Sequence, residues 1–240
     1  KYVVTRPWND YKKDIELYSF NENPVLYNVG ILYGDYTNKS ARINTDAYLT
    51  VVHDVKYVLT EEKELMYKVS LYERANLIEK YLDEEAADEY LDMLNPGNII
   101  RYGLNVEGNI GIVDLIYDSK SGTFPADKDA NGIYDKNDNN NSNVIGSDVT
   151  FSIGYVKEKH GNYISVISEN NINSAEIPYA YPLKSEYIYV LRTDDYTVEE
   201  VKTDMIKDYK SFGGQAHKVV AGAIYDQAQN DFYFMFIDEE

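Results

Sequence analysis

The chain has 240 residues, with 23 Lys and Arg against 41 Asp and Glu, which gives a formal net charge of −18 at pH 7. Such an acidic surface repels phosphate backbones and attracts divalent cations, so nucleic acid is not an expected partner. The absence of cysteine excludes disulfides and thiol chemistry, and no apolar run approaches the roughly 18 residues of a membrane span.

Tyrosine dominates the aromatic residues, with 25 Tyr against 7 Phe and 1 Trp. Tyr suits a pleated, half-buried surface because its ring packs while its hydroxyl stays wet. With 44% hydrophobic residues, the chain can also bury a core. We therefore expect a β-rich protein with amphipathic outer faces.

Alternation of apolar and polar residues, interrupted by turn residues, predicts antiparallel hairpins along the chain. The paired segments are, in chain order, 15–20 with 25–29, 51–59 with 65–72, 99–104 with 110–117, 149–156 with 163–167, and 219–225 with 232–237. Gly108 is predicted to form the turn of the third hairpin.

Two helices are predicted between these hairpins. Apolar residues recurring at three and four predict a helix over residues 76–94, although an acidic run at 83–85 would instead allow a second short helix to begin there. Asn95-Pro96-Gly97 ends this segment. A shorter helix is predicted around residues 203–209, ending before Gly213 and Gly214.

The predicted fold is mainly β, a β-rich α+β protein built of two small antiparallel barrel-like or sandwich-like units with one or two short helices. The first unit covers residues 1–118, with the helix near 76–94, and the second covers residues 149–240. The Asp/Asn-rich segment 119–148 is predicted to be a linker or a calcium loop, because a connection of this length without secondary structure is functional or disordered.

Residues 127–138 have the ligand pattern of a calcium loop, with oxygen side chains at positions 1, 3, 5, 9 and 12 and a glycine at position 6. Ca²⁺ takes six to eight oxygens, and a chain wraps it when alternate side chains point inward and the backbone bends midway. The bend is predicted at Gly132. The predicted ligands are Asp127, Asp129, Asn131, the Ile133 carbonyl, Asp135 and Asp138.

The calcium loop departs from an EF-hand in two respects. Position 12 is Asp138 rather than the longer Glu, and turn-forming residues rather than helices flank the loop. The segment therefore resembles the aspartate-rich, helix-poor loops of dockerins and other bacterial extracellular modules. The alternative is that Asp, Asn and Gly fall into this pattern by chance in a solvated linker.

The three histidines form no recognisable catalytic arrangement. His53 neighbours Asp54 in a predicted strand, where adjacent side chains point to opposite faces. His160 lies in a predicted turn and His217 near the start of a strand. The common nucleophile and zinc motifs are also missing, so we predict that the protein is not an enzyme.

Segments 14–18, 94–110, 114–118, 154–166 and 186–190 carry a resemblance in pattern. They resemble the β-rich repetitive regions that accompany surface-layer-homology domains in clostridial cell-surface proteins. The anchoring repeats themselves are not recognisable in the chain. The resemblance implies an extracellular structural or surface-array role without catalytic residues.

Together these observations favour an extracellular structural protein of a Gram-positive cell surface, stabilised by Ca²⁺ and assembling laterally as a surface layer or filament. Its partners would be copies of itself, neighbouring domains of the same protein, or cell-wall glycan. The alternative is a calcium-dependent carbohydrate-binding module of a secreted enzyme or adhesin, in which Trp8 and exposed tyrosines stack on sugar rings.

Lateral contacts are predicted at edge strands and Tyr-rich faces. The predicted contact residues are Tyr187, Tyr189, Tyr233 and Phe234.

Overall fold

A computed structural model describes the greater part of the chain. The residues it describes are 15–18, 29–32, 42–43, 49–61, 64–82, 84–105, 107–134, 138, 151–173, 179–183, 188–226 and 229–238. Contacts divide the chain into two compact units, residues 1–40 and residues 41–240.

In the smaller unit, β1 (Ile15–Tyr18) pairs antiparallel with β2 (Val29–Leu32), and Ile15 lies opposite Leu32. The predicted first strand contains β1. Of the predicted second strand, 25–29, only Val29 lies among the described residues, and it is the first residue of β2.

Over the residues that the structure describes, the larger unit is mainly β, as predicted, with two short helices. Its strands are β3 (Arg42–Ile43), β4 (Thr50–Leu59), β5 (Leu65–Glu73), β6 (Asn76–Leu82), β7 (Ile99–Leu104), β8 (Ile110–Tyr117), β9 (Ile133–Tyr134), β10 (Phe151–His160), β11 (Tyr163–Ile167), β12 (Tyr179–Pro182), β13 (Ile188–Arg192), β14 (Thr197–Glu200), β15 (Lys218–Asp226) and β16 (Gln229–Asp238). Its helices are α1 (Glu84–Tyr90) and α2 (Tyr209–Phe212), and 3-10 turns lie at Leu91–Met93, Glu169–Asn171, Thr203–Met205 and Gly213–Gln215.

The first sheet closes into a five-stranded barrel in the order β4-β5-β6-β8-β7. Strand β7 returns to β4 with Ile100 opposite Thr50, and β6 meets β8 in a parallel pair at Leu82 and Ile110. A three-strand meander, a helix and a closing hairpin in this order have the connectivity of a Greek-key barrel of the OB type. The barrel interior is apolar. Its buried residues are Val52, Val69, Leu71, Leu82, Ala87, Leu94, Ile100, Ile110 and Val113.

The predicted helix over residues 76–94 is wrong in its first half. Asn76–Leu82 is strand β6, paired with β5 from Glu73 opposite Asn76 onward. Pairing with β5 buries Leu82 inside the barrel, and this tertiary contact outweighs the helical spacing of the apolar residues. The alternative of a second short helix is borne out by α1, which begins at Glu84 and buries Ala87.

The second predicted helix, over residues 203–209, is also wrong. That segment contains a 3-10 turn at Thr203–Met205, and α2 begins only at Tyr209. The Asp208 carboxylate accepts a hydrogen bond from the Ser211 backbone N–H, so it caps α2 and places the start of the helix after itself.

The second sheet has the order β12-β11-β10-β15-β16-β13-β14, and β9 also pairs with β10. Strands β13 and β16 run parallel, whereas the other neighbours are antiparallel. Four of the predicted hairpins are confirmed as β4–β5, β7–β8, β10–β11 and β15–β16. Gly108, with φ +85°, makes the predicted turn between β7 and β8.

Both faces of the second sheet are buried in apolar clusters. On one face, alternate residues of β13, β15 and β16 pack with residues of the 3-10 segment around Ile206. On the other face, the intervening residues pack against the outside of the barrel. This shared core contains Leu49, Val51, Ile99, Ile116 and Tyr117 from the barrel side, and Tyr134, Phe151, Ile153, Tyr189, Leu191, Val198, Val220, Tyr233, Met235 and Ile237 from the sheet side.

The division between the two sheets lies within the predicted linker, residues 119–148. Strands β3–β8 all precede residue 118 and strands β9–β16 all follow residue 132. Strand β9 of the second sheet therefore belongs to the predicted linker rather than to the predicted second unit, residues 149–240. The shared core joins the two sheets, and contacts group residues 41–240 together. The linker contributes Ala126 and Tyr134 to this core, so that part of it is packed structure.

Substitution of Gly154 tests how close the backbones of β10 and β11 must lie. This glycine has φ +146°, and an added Cβ would lie 2.0 Å from the Ile167 carbonyl oxygen. We expect Gly154→Ala to lower the free energy of unfolding by at least about 2 kcal/mol, because the Ile167 carbonyl oxygen belongs to the backbone and cannot move aside as a flexible side chain can. The control Gly108→Ala, in open space at φ +85°, should cost only about 1 kcal/mol. Equal losses in urea denaturation would contradict this.

Candidate metal centre

The acidic segment leaves the barrel at the end of β8 and enters the second sheet through β9. A backbone bridge pairs Asp118 with Thr123, and the Phe124 ring packs on Tyr117 with centroids 5.2 Å apart. Strand β9 then pairs with β10, where Tyr134 lies opposite Phe151. Residues 127–132 are therefore held at both ends by packed aromatic side chains.

Three of the predicted ligands converge within this loop. One carboxylate oxygen from each of Asp127, Asp129 and Asp138 lies within 4.8 Å of the others. Asp138 is buried, Asp127 is half-buried and Asp129 is exposed. The Asp138 Oδ1 accepts a hydrogen bond of 3.0 Å from the Lys128 backbone N–H, which brings position 12 back to the start of the loop.

The middle of the loop is a series of side-chain turns. Asp127 accepts hydrogen bonds from the backbone N–H groups of Asn131 and Gly132, at 3.1 and 2.9 Å. Asn131 donates its amide to Asp129 and accepts from the Ile133 N–H. These bonds leave carboxylate lone pairs for a cation. Asp135 lies outside the described residues.

Gly132 makes the predicted bend, with φ +83°. Its carbonyl accepts a hydrogen bond from the Ile153 N–H at 2.8 Å, and an added Cβ would lie 2.6 Å from the Ser168 Cβ. A side chain at this position would therefore meet both an unfavourable backbone conformation and a steric clash. The glycine places the loop directly against β10.

The electrostatics of the cluster suit a hard cation. Burial raises the pKa of the Asp127 carboxyl, and the nearby charges of Asp138 and Asp129 raise it further, while the hydrogen bonds from Gly132 and Asn131 oppose the shift. A bound divalent ion would offset both the desolvation and the repulsion. Oxygen-only donors favour Ca²⁺ or Mg²⁺ over softer metals.

A buried charge network that sequence patterns did not reveal lies beside the loop. The Tyr134 hydroxyl donates a hydrogen bond to the Asp114 carboxylate, and Asp114 lies opposite Arg101 in the β7–β8 ladder. The Arg101 guanidinium is fully buried, lies 5.7 Å from the centre of the Phe151 ring, and has no hydrogen-bond partner among the described residues. The alternating pattern of β7 gave no indication that Arg101 faces a second sheet.

The histidines lie in three separate environments. His53 Nδ1 is 3.2 Å from the Tyr196 carbonyl oxygen, which makes that nitrogen the donor. His160 is exposed at the end of β10. His217 is buried directly before β15, consistent with its predicted place near a strand start.

The prediction of Tyr-rich contact faces is wrong where it can be checked. Tyr189, Tyr233 and Phe234 are all at most 3% exposed, because both faces of the second sheet are covered. The sequence did contain a signal for this, since residues 232–237 are an unbroken apolar run of the kind typical of strands buried on both sides. Tyr187 and Trp8 lie outside the described residues.

Comparison with protein-family models, curated proteins and solved structures gave no match. Within the part of the chain that the structure describes, no helix has the length and apolar character needed to cross a membrane. The surroundings of the acidic loop are therefore the basis for assigning a function.

Burial raises the pKa of Asp114 from 3.8 to about 6, although the charges of Arg101 and Lys128 oppose the shift. Between these values the folded protein holds a proton that the unfolded chain has released, so stability falls as pH rises through this range. We expect wild type to lose on the order of 2 kcal/mol relative to Asp114→Asn between about pH 4 and about pH 6. A stability difference in urea that stays constant over this range would contradict the assignment.

Proposed function

We propose that this protein is a non-enzymatic structural component of a bacterial cell surface, stabilised by Ca²⁺ at the loop of residues 127–138 and assembling laterally with copies of itself. The observation that carries the proposal is the convergence of Asp127, Asp129 and Asp138 in a folded loop. Extracellular modules bind Ca²⁺ with dissociation constants of about 10⁻⁴ to 10⁻³ M, which suits a loop with three converging carboxylates.

The position of the loop supports a stabilising role for the ion. Gly132 is hydrogen-bonded to β10, and Tyr134 lies in the core shared by the barrel and the second sheet. A cation that binds only the folded loop stabilises every contact that depends on the loop. Ca²⁺ would therefore reinforce the junction between the two sheets.

The assembly surface that we propose is the tip of the β4–β5 hairpin, in place of the buried tyrosines. Tyr57, Leu59 and Leu65 are 49%, 63% and 49% exposed there. Tyr57 and Tyr67 pair across the hairpin with ring centroids 4.7 Å apart. An exposed apolar patch of adjacent residues is a typical protein contact.

The edge strand β14 supports a role for cations in assembly. It ends the strand order of the second sheet and exposes Glu199, which is paired with Arg192, and Glu200. Acidic residues on an edge strand oppose pairing with another chain. Divalent ions can bridge facing carboxylates, and we therefore propose that assembly requires them.

The calcium site can be tested by isothermal titration calorimetry and thermal unfolding. We expect Asp127→Ala/Asp129→Ala to weaken Ca²⁺ binding at least about 100-fold, because two of the charged ligands are lost. Calcium at about ten times its dissociation constant should stabilise wild type by about 1.4 kcal/mol.

The matched control is Asp88→Ala/Asp204→Ala, which removes the same charge from two exposed positions outside the cluster. It should bind Ca²⁺ as wild type does. Unchanged binding in the Asp127/Asp129 variant would refute the site. Equal losses of binding in both variants would show that Ca²⁺ is held by the overall negative charge rather than at a defined site.

Assembly can be tested by light scattering and electron microscopy in calcium and in chelator. Leu59→Glu/Leu65→Glu should abolish calcium-dependent assemblies without lowering the melting temperature, since both side chains are exposed. Leu77→Glu, at a residue 52% exposed on β6, is the control and should assemble normally. Wild type that remains monomeric in calcium at high concentration would refute lateral assembly.

A further inference from the structure

The end of the β10–β11 hairpin projects past the neighbouring strand β15. Strand β15 pairs with β10 along residues 151–155, whereas β11 pairs with β10 from Tyr155 to His160. The 3-10 turn at Thr203–Met205 and helix α2 belong to the segment 203–212, which contacts this projecting end. The hairpin end and the segment together form one surface at an end of the second sheet.

The segment 203–212 is anchored on the hairpin by one lysine and one buried apolar side chain. Lys159 Nζ donates hydrogen bonds to the carbonyl oxygens of Thr203 and Ile206, at 2.9 and 3.3 Å. Ile206 itself is buried in the apolar cluster on that face of the sheet. An exposed ion pair between Lys210 and Glu158 adds only weakly to this anchoring. The surface is therefore formed before any partner binds, which lowers the entropy cost of binding.

Three large hydrophobic side chains are exposed on this surface. Tyr163, which lies opposite His160 at the hairpin end, is 56% exposed, and Met205 and Phe212 on the segment are 50% and 49% exposed. We call Tyr163, Met205 and Phe212 the α2 patch. A single exposed hydrophobic residue is ordinary, but several in one small region mark a contact surface.

The charge around the α2 patch is the reverse of the charge of the whole chain. Residues 157–160 and 202–212 carry five lysines and three carboxylates, in a chain with 41 acidic and 23 basic residues. One of the three carboxylates, that of Asp208, is buried as the cap of α2. The exposed surroundings of the patch are therefore basic. The lysines are Lys157, Lys159, Lys202, Lys207 and Lys210, and the acids are Glu158, Asp204 and Asp208.

The tip of the β4–β5 hairpin has the opposite charge. Strand β6 pairs with β5 only as far as residue 67, so this tip also projects from its sheet. Beside the exposed apolar side chains of the tip, the turn reads Thr60-Glu61-Glu62-Lys63-Glu64. The Tyr57 hydroxyl donates a hydrogen bond to the Glu84 carboxylate, which brings another acid to the tip. The tip therefore combines an apolar surface with negative charge.

These charges select the way in which two copies of the chain can meet. Contact between two tips would bring glutamates together, and contact between two α2 patches would bring lysines together. Like charges that face each other across an interface oppose association. A tip placed on an α2 patch instead joins apolar side chains to apolar side chains and glutamates to lysines. Opposite charges around two apolar surfaces thus favour contact between unlike surfaces of two copies.

We infer that the α2 patch of one copy receives the β4–β5 hairpin tip of the next copy. The inference rests on the lateral assembly proposed above and names the second surface that this assembly uses. Because the two surfaces differ, the contact is heterologous, and each copy offers one tip and one patch. Repetition of such a contact builds a filament, or a ring where the rotation closes.

Mixing two variants in calcium tests this contact, with sedimentation velocity as the readout. Leu59→Glu/Leu65→Glu loses the tip and keeps the patch, whereas Met205→Glu/Phe212→Glu loses the patch and keeps the tip. All four side chains are exposed, so both variants should keep the melting temperature of wild type. Each variant alone should be monomeric, because its remaining surface has no counterpart. The mixture should form one-to-one dimers and nothing larger.

Charge complementarity is tested in the same mixture. Lys202→Glu, added to the variant that keeps the patch, should weaken the mixed dimer about tenfold. Glu61→Lys, added to the variant that keeps the tip, should restore part of this affinity, because the two charges are then opposite again. The matched control is Leu77→Glu/Leu104→Glu, which adds the same charge at two exposed barrel residues outside both surfaces and should assemble as wild type does.

Normal assembly of Met205→Glu/Phe212→Glu would overturn the inference and leave lateral assembly intact. A mixture that stays monomeric while wild type assembles would have the same meaning. Wild type that stays monomeric in calcium would refute lateral assembly itself. Binding of the patch-bearing variant to vesicles of phosphatidylcholine and phosphatidylglycerol, without mixed dimers, would identify an anionic membrane as the occupant of the patch and would also overturn the inference.

Discussion

Packing of the barrel against the second sheet is the contact on which the larger unit depends. The contact is formed on the barrel side by Val51, Ile99 and Tyr117, which pack in one cluster with Tyr189, Val220 and Met235 of the sheet. Each such side chain contributes about 1.5–3 kcal/mol when it is fully buried. The same contact encloses Arg101 and lowers its pKa to about 10, chiefly through burial, while Asp114 opposes the shift. Arg101 has no hydrogen-bond partner among the described residues, so its buried charge is balanced only at longer range, by the Asp114 carboxylate and the face of the Phe151 ring.

The acidic loop is held in place by this contact. Tyr134 enters the shared core at one end of the loop, and Phe124 packs against Tyr117 at the other. Between them, three carboxylates are brought within 4.8 Å of one another, an arrangement that repulsion opposes in the absence of a cation. Core packing thus holds the acidic side chains together, and a bound ion would in turn strengthen the hold of the loop on both sheets. This reciprocity is the physical basis for proposing that calcium stabilises the protein.

The chemistry of the acidic loop follows from its side chains rather than from the fold class. Five-stranded barrels and sandwiches host many unrelated activities, so the fold class by itself assigns no site. The loop offers carboxylate oxygens alone, and the net charge of −18 concentrates divalent cations near them.

The sequence by itself determined the mainly β fold, four of the hairpins, the bend at Gly132 and the residues of the acidic loop, because these features depend on neighbours close in the chain. Strands β7 and β8 have the bounds that alternation predicts, since a tight turn and a period of two are both local. Only the tertiary structure decided that Asn76–Leu82 is a strand, since its partner β5 and the closed barrel select that conformation over a helix. Only the tertiary structure placed Tyr189 in a core, because burial of a strand's second face depends on what packs against the sheet.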